Sequence, residues 1–276
     1  MDGQNRSECP PSVFWVLLRL GGHRSDTPPA VRAKSLSTMT VPFSTDIRNT
    51  DFLSGALLLV DKPKGWTSFD AVNKIRGILR AKYGLKKIKV GHSGTLDPMA
   101  TGLLLICTGS WTKKLTALTG LDKRYTGVIT LGVETDSYDA EGNITETREV
   151  PGLDQAQLED HLVAFTGKYE QYPPAFSAIK KDGKPLYALA RAGKEVKTEP
   201  RSVEVFDIQV KEFQKPDIKL DIHCASGFYV RSLAHDLGQK IGCGAHLSGL
   251  VRTHIGNYQL SDAFSMEYIQ ASLGEK

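Results

Sequence analysis

Val90-Gly91-His92-Ser93-Gly94-Thr95-Leu96-Asp97-Pro98-Met99-Ala100-Thr101-Gly102 is the stretch whose reading decides the fold. One carboxylate, Asp97, stands inside a run of small residues. Ile88-Lys89-Val90 leads in and the apolar run 103–107 leads out, which predicts strand, tight loop, strand. Pro98 pushes Asp97 away from helical backbone angles toward an extended conformation. Gly91, Gly94 and Gly102 permit turns and close approach of a ligand to the backbone. A carboxylate on a loop between rigid elements is a common placement for a catalytic group. Taken alone, an Asp-Pro step is more often a plain turn, and a lone His92 is more often a hydrogen-bonded structural residue.

Upstream, residues 55–61 predict a buried strand, and Lys62-Pro63-Lys64-Gly65-Trp66 a turn. Thr67 or Ser68 caps a helix running to Tyr83, with Phe69, Val72, Ile75, Ile78 and Leu79 along one face. Downstream, 111–118 predicts a short helix, 124–133 and 144–149 strands, and 153–165 an amphipathic helix. Asp139-Ala140-Glu141-Gly142-Asn143 is a turn signal between the two strands. Pro173-Pro174 breaks the chain, and a helix is expected over 186–192. Residues 203–210 and 218–224 alternate apolar with polar, as half-exposed antiparallel strands do. A helix over 229–241 ends at Gly242-Cys243-Gly244, and strands follow at 245–252 and 257–260. Paired strands with intervening helices, and no regular βαβ alternation, predict an α+β fold with a mixed, mostly antiparallel sheet.

The 276 residues carry a net charge of +4, which permits a polyanionic partner without requiring one. The four cysteines form no CxxC pair, so no zinc or redox framework is legible. No apolar run approaches the roughly 20 residues that span a membrane. Residues 1–50, with Pro10-Pro11, Pro28-Pro29 and one short apolar run, are expected to be a disordered extension, with Met39 as an alternative start. The catalytic domain is expected over 51–265 and a tail over 266–276. Cytoplasmic residence is expected, with organelle import through residues 1–38 the weaker alternative.

Neither GxGxxG nor GxxxxGK[ST] follows a strand, no serine sits in a GxSxG elbow, and His223, His235, His246 and His254 lack metal-ligand spacing. What changes the weight of Asp97 is a series of six blocks. They are Gly55-(x)5-Asp61-Lys62-Pro63-x-Gly65-Trp66-Thr67-Ser68; Gly91-His92-Ser93-Gly94-Thr95-Leu96-Asp97-Pro98-x-Ala100-Thr101-Gly102; and Lys123-Arg124-Tyr125. Then come Gln171-x-Pro173-Pro174-x-Phe176-Ser177-Ala178-x-Lys180; Ser226-Gly227-Phe228-Tyr229-Val230-Arg231-Ser232-Leu233; and Gly244-Ala245-His246-Leu247-x-x-Leu250-x-Arg252. In content and order they resemble the signature blocks of the TruB family of pseudouridine synthases, which make pseudouridine 55 in the TΨC arm of tRNA.

The resemblance implies a pseudouridine synthase fold and a role for each matching residue. Asp97 would be the nucleophile, Tyr125 would stack on the uracil and assist proton removal from C5, and Arg231 would pair with Asp97. His92, Tyr229 and Leu250 would line the pocket of the flipped nucleotide, with Lys64, Gly94 and Thr95 beside it. Isomerising uridine oxidises nothing and transfers no external group, so neither cofactor nor metal is expected. A guanidinium keeps a nearby carboxylate ionised, as a nucleophile must be. The expected partner is the TΨC stem-loop of tRNA, met by a monomer without guide RNA. The alternatives are the same chemistry on another RNA, or an RNA-binding or RNA-folding protein with secondary catalysis.

Two positions depart from the family pattern. Phe176 stands where relatives carry tyrosine, and Leu250-Val251-Arg252 stands for Leu-Arg-Arg, which removes one cationic phosphate contact. The chain ends too early for the C-terminal RNA-binding domain that some relatives carry. RNA grip is therefore expected from Lys86-Lys87-x-Lys89, from Lys113-Lys114, and from a thumb-like insertion with Lys180, Lys181, Lys184, Arg191, Lys194 and Lys197.

Overall fold

In the computed structural model, β1 (Leu57–Lys62) and β3 (Thr101–Thr108) lie side by side and antiparallel, with nearly every residue buried. Layers cover both of their faces, which is why each reads as a continuous apolar run rather than an alternation. The structure describes residues 42–177, 180–181, 184–186 and 198–274, all within the compact unit Thr40–Lys276.

The remaining strands are β2 (Val90–Ser93), β4 (Lys123–Leu131), β5 (Val133–Thr135), β6 (Ile144–Thr147), β7 (Gly167–Gln171), β8 (Lys180–Lys181) and β9 (Lys184–Pro185). They continue with β10 (Arg201–Gln214), β11 (Asp217–Cys224), β12 (Ala245–Ile255), β13 (Tyr258–Gln259) and β14 (Phe264–Ser265). The helices are α1 (Ser68–Tyr83), α2 (Leu115–Thr119), α3 (Gln155–Val163), α4 (Val230–Ile241) and α5 (Met266–Leu273). Ten strands form one sheet in the order β14-β1-β3-β12-β4-β11-β10-β7, with β2 added on β3 and β13 on β12. Only β1/β14 and β3/β12 run parallel, so the expected mixed, mostly antiparallel α+β architecture is what the chain adopts. β5/β6 and β8/β9 are separate hairpins.

One core packs α3 and α4 against β4, β10, β11 and β12. A second packs α1 and α5 on one face of β1 and β3. A third covers their other face with Leu118, Ile255 and Tyr258. α1 begins with a capping box in which Thr67 and Asp70 satisfy each other's backbone N–H, and ends on left-handed Gly84.

Three segments differ from expectation. Order reaches back before residue 51: Ile47 and Phe52 are fully buried, and Ser44 N donates to Leu57 O. Asp46 accepts from the backbone of Arg48 and Asn49, an Asx-type turn whose polar residues read as tail. Residues 266–273, expected as tail, form α5, which buries Met266, Ile269 and Leu273 against α1. β7 lies where no strand was expected, since Gly167-Lys168-Tyr169-Glu170 alternates too weakly to signal one. The helix expected over 186–192 lies, beyond Leu186, outside the described residues, as do the side chains of the thumb lysines. No helix among the described residues is long and apolar enough to cross a membrane.

Gly102 opens β3 where three strands meet, paired to Lys62 on one side and to Arg252 on the other. Its φ is +100°, and a Cβ there would stand 2.4 Å from the Arg252 carbonyl oxygen. Left-handed strain plus overpacking sum to roughly 2–5 kcal/mol. Gly102→Ala is therefore expected to lower Tm by about 5–15 °C, read by thermal unfolding.

Candidate active site

The loop between β2 and β3 is tied down from both ends. Ser68, the first residue of α1, uses its hydroxyl to accept from Leu96 N at 2.8 Å and donate to Leu96 O at 3.2 Å. Pro98 O accepts from Gly65 N at 2.8 Å, and Lys62 Nζ reaches the same oxygen at 3.5 Å. Lys62 is fully buried and also donates to Pro63 O and Trp66 O. Ala100 N donates to Asp97 O at 3.1 Å and closes the turn. At the near end, Gly94 has φ +79° and its carbonyl accepts from Arg252 Nη2 at 3.2 Å. Asp97 therefore has little backbone freedom left.

Its carboxylate meets Arg231 of α4. Arg231 Nε lies 2.9 Å from Asp97 Oδ2, and Nη2 donates to Oδ1 at 3.1 Å. The Nη2 hydrogen bond and the close Nε ion-pair contact, which is not itself in hydrogen-bonding geometry, hold the carboxylate against the guanidinium. The guanidinium also binds two other segments: Nη2 donates to Phe176 O at 3.0 Å, and Nη1 donates to Ser137 O at 3.2 Å and lies 3.5 Å from Asp139 Oδ2. The bond at position 176 is to backbone, so phenylalanine serves it as well as tyrosine.

Asp97 and Arg231 open onto a cavity of about 430 Å³ that is also lined by Gly94, Thr95, Tyr125, Tyr229 and Leu250. Seven of the nine residues expected at the site thus converge from β2/β3, β4, α4 and β12. Lys64 and His92 do not line the cavity. Lys64 is exposed on the turn whose Gly65 binds Pro98, and His92 is half-buried on β2.

Four residues that sequence reasoning left without a role complete the site. Arg252 is buried, bonds Leu103 O at 2.7 Å, and lies opposite Tyr125 across the β4/β12 ladder, where its charge acts on the phenol. Asp139, read as a turn residue, is buried and accepts from Ser137 Oγ at 2.5 Å and Glu141 N at 3.0 Å. Lys62 stands behind the loop. Lys123 lines the cavity and donates to Thr119 O and Leu121 O, both at 2.6 Å. In β4 the buried positions alternate from Lys123 through Tyr125, so a strand-period count would have put Lys123 on the cavity side.

The charges act on one another. Burial pushes the Asp97 carboxyl up, Arg231 pulls it back, and Asp139 pushes it up further. Burial also raises the Tyr125 phenol, opposed by the charge of Arg252. Burial lowers Lys62 to about 8 against the pull of Asp97, and lowers Lys123 to about 8. The Cys107 and Cys224 thiols are pushed up to about 11 and about 12, so neither supplies a thiolate nucleophile. Among the described residues, no group of three His, Cys, Asp or Glu is placed to hold a metal ion.

Two family models match the chain. "TruB family pseudouridylate synthase (N terminal domain)" matches residues 80–230, and "tRNA pseudouridylate synthase B C-terminal domain" matches residues 231–275. A tRNA pseudouridine synthase B of Flavobacterium johnsoniae is 44% identical over 81% of this chain and 98% of its own length. One from Phocaeicola vulgatus is 44% identical over 79% and 92%. One from Opitutus terrae is 45% identical over 78% and 87%. Among solved structures, a chain of a Cbf5-Nop10-Gar1 complex superimposes with TM-score 0.61 at 25% identity, covering 87% of this chain and 63% of that one. A chain of an H/ACA RNP bound to a substrate RNA containing 2'-deoxyuridine gives TM-score 0.57 at 24% identity, covering 81% and 56%, and shares the fold.

With Asp97 in the nucleophile's role that the resemblance implies, turnover needs its carboxylate ionised, and the acidic limb of kcat/KM is expected to follow the pKa of Asp97. Asp139 raises that pKa, and Asp139→Asn is expected to move the limb to lower pH. Arg231→Lys loosens the lowering partner, so the limb moves to higher pH, and misplacement of the carboxylate lowers kcat by about 10²-fold. A pH–rate profile of each variant reads both shifts.

Proposed function

The chain belongs to the TruB family of pseudouridylate synthases, and from that premise we propose that it converts uridine 55 in the TΨC loop of tRNA to pseudouridine. The observation that carries the reading is the gripped Asp97 carboxylate at a cavity whose wall includes Tyr125. The glycosidic bond of a stacked uridine is out of reach, so the nucleotide leaves the stack and enters the cavity. Unstacking costs a few kcal/mol, and a base lying on Tyr125 regains roughly 1–3 kcal/mol. Leu250 and Tyr229 supply apolar contact around the ring.

Asp97, held ionised by Arg231, acts as the nucleophile while the C1′–N1 bond breaks. The freed uracil turns within the cavity, C5 bonds to C1′, and the carboxylate is released unchanged. Tyr125, acting as the phenolate, takes the C5 proton, and N1, left with the electron pair of the broken C1′–N1 bond, takes up one proton from solvent. The Arg252 guanidinium beside the phenol favours that phenolate. One proton leaves C5 and one joins N1, so the product is an isomer of uridine and no external group is needed.

The enzyme acts on free tRNA as a monomer, without guide RNA. The lysines and arginines of the basic segment 176–201 contribute salt-dependent affinity for the stem-loop.

Incubation of the purified protein with TΨC-arm transcripts, followed by pseudouridine mapping, is expected to give one modified position, uridine 55. Asp97→Asn lowers the rate by at least about 10³-fold, as loss of a covalent nucleophile does elsewhere. Tyr125→Phe lowers it by about 10²–10⁴-fold, in the range of a lost general base. Full activity in Asp97→Asn sinks the mechanism, and a requirement for added guide RNA sinks the substrate assignment.

A further inference from the structure

Between Asp70 and Asp97 the chain contains no acidic residue, yet residues 71–96 carry seven lysines and arginines. The whole protein nets only +4, so the rest of the chain is net acidic and the positive charge is concentrated here. Five of the seven, Arg76, Arg80, Lys86, Lys87 and Lys89, line a groove of about 530 Å³ between α1 and the loop that follows it. No carboxylate lines it. Arg76 is aimed by neutral acceptors, Asn73 Oδ1 at 2.6 Å and Val90 O at 3.0 Å, and Arg80 by Leu85 O at 3.4 Å. Among the described residues, none of the five takes part in an ion pair. Five uncompensated like charges raise the energy of the folded chain and attract anions.

The spacing points to a polyanion rather than a single anion. Arg76 and Arg80 are one helical turn apart, and Lys86, Lys87 and Lys89 follow one another along extended chain over roughly 10 Å. The groove is also joined to the active site. Phe69, Asn73, Arg76 and Arg80 are spaced i, i+4, i+7, i+11 and form one stripe along α1, about 16 Å long at 1.5 Å per residue. Phe69 starts it, 62% exposed, beside the Ser68 hydroxyl that binds Leu96 next to Asp97. An exposed aromatic leading into a run of cations is what a nucleic-acid strand needs for a base to stack and its phosphates to settle.

We infer that the groove between α1 and residues 85–89 holds the sugar-phosphate backbone of the substrate RNA beyond the flipped nucleotide. This rests on the tRNA reading above and adds a contact surface separate from both the cavity and the 176–201 segment. The triple variant Lys86→Gln/Lys87→Gln/Lys89→Gln tests it, because these side chains are exposed and the fold does not depend on them. Binding of a full-length tRNA transcript is measured across salt concentrations in the Asp97→Asn background, so that the result does not depend on turnover. The triple variant is expected to raise Kd about tenfold near physiological salt and to reduce the slope of log K against log salt by about one per lysine removed. Arg76→Gln/Arg80→Gln gives a second, independent loss. Lys211→Gln/Lys215→Gln/Lys219→Gln, exposed on β10, β11 and the turn between them, serves as the charge-matched control and leaves the slope within error. Wild-type Kd and slope in the triple variant overturn the inference, as does an equal loss in the control. Salt-dependent loss in the triple variant from a protein that forms no pseudouridine would keep the RNA groove and remove the proposed activity.

Discussion

One buried guanidinium holds the site together. Arg231 comes from the first turn of α4, and its donors reach Asp97 on the β2–β3 loop, Ser137 and Asp139 before β6, and Phe176 at the start of the thumb segment. A buried cation is costly without partners, and a buried carboxylate equally so. Each segment is therefore held in place by the charge of another. Two carboxylates share the one guanidinium, and this local excess of negative charge helps push Asp97 up. Lys62 behind the loop and Arg252 beside it bring the compensating positive charge close without touching the carboxylate, which stays free to react.

The sheet supplies the geometry that charges alone do not. β12 runs antiparallel to β4 and parallel to β3, so one residue, Arg252, faces Tyr125 across one ladder and abuts Gly102 across the other. Its side chain then continues to Gly94 at the start of the nucleophile loop. The phenol is on β4 and the carboxylate on the β2–β3 loop, and neither β2 nor β3 pairs with β4, yet Arg252 reaches toward both. Only glycine fits at position 102, because the Arg252 carbonyl occupies the space of a Cβ.

Much of this was legible in the residues. Strands 1 and 3 announce themselves as apolar runs, α1 by its cap and periodic face, and β10, β11 and α4 by alternation or by the stop at Gly242. The order of six blocks singled out Asp97, Tyr125 and Arg231, and the fold brings the three to one cavity. Asp139 was not, because Asp-Ala-Glu-Gly-Asn is indistinguishable from a solvated turn until Arg231 arrives from 92 positions away. Arg252 closed the last block without a role, because nothing local shows that it is buried opposite Tyr125. Residues 42–50 and α5 read as tails because each buries only a few side chains, spaced too widely for a periodic signal.

The sequence by itself determined the class of fold and singled out the Asp97 carboxylate. These depend on local pattern and residue type: hydrophobic period, glycine and proline at a loop, and an acid that can be ionised. Tertiary structure decided which charges govern that acid, how the tyrosine is oriented, and that α1 turns a row of cations to solvent beside the site. Those are properties of distance between residues far apart in the chain, and electrostatic interaction depends on separation and burial rather than on order.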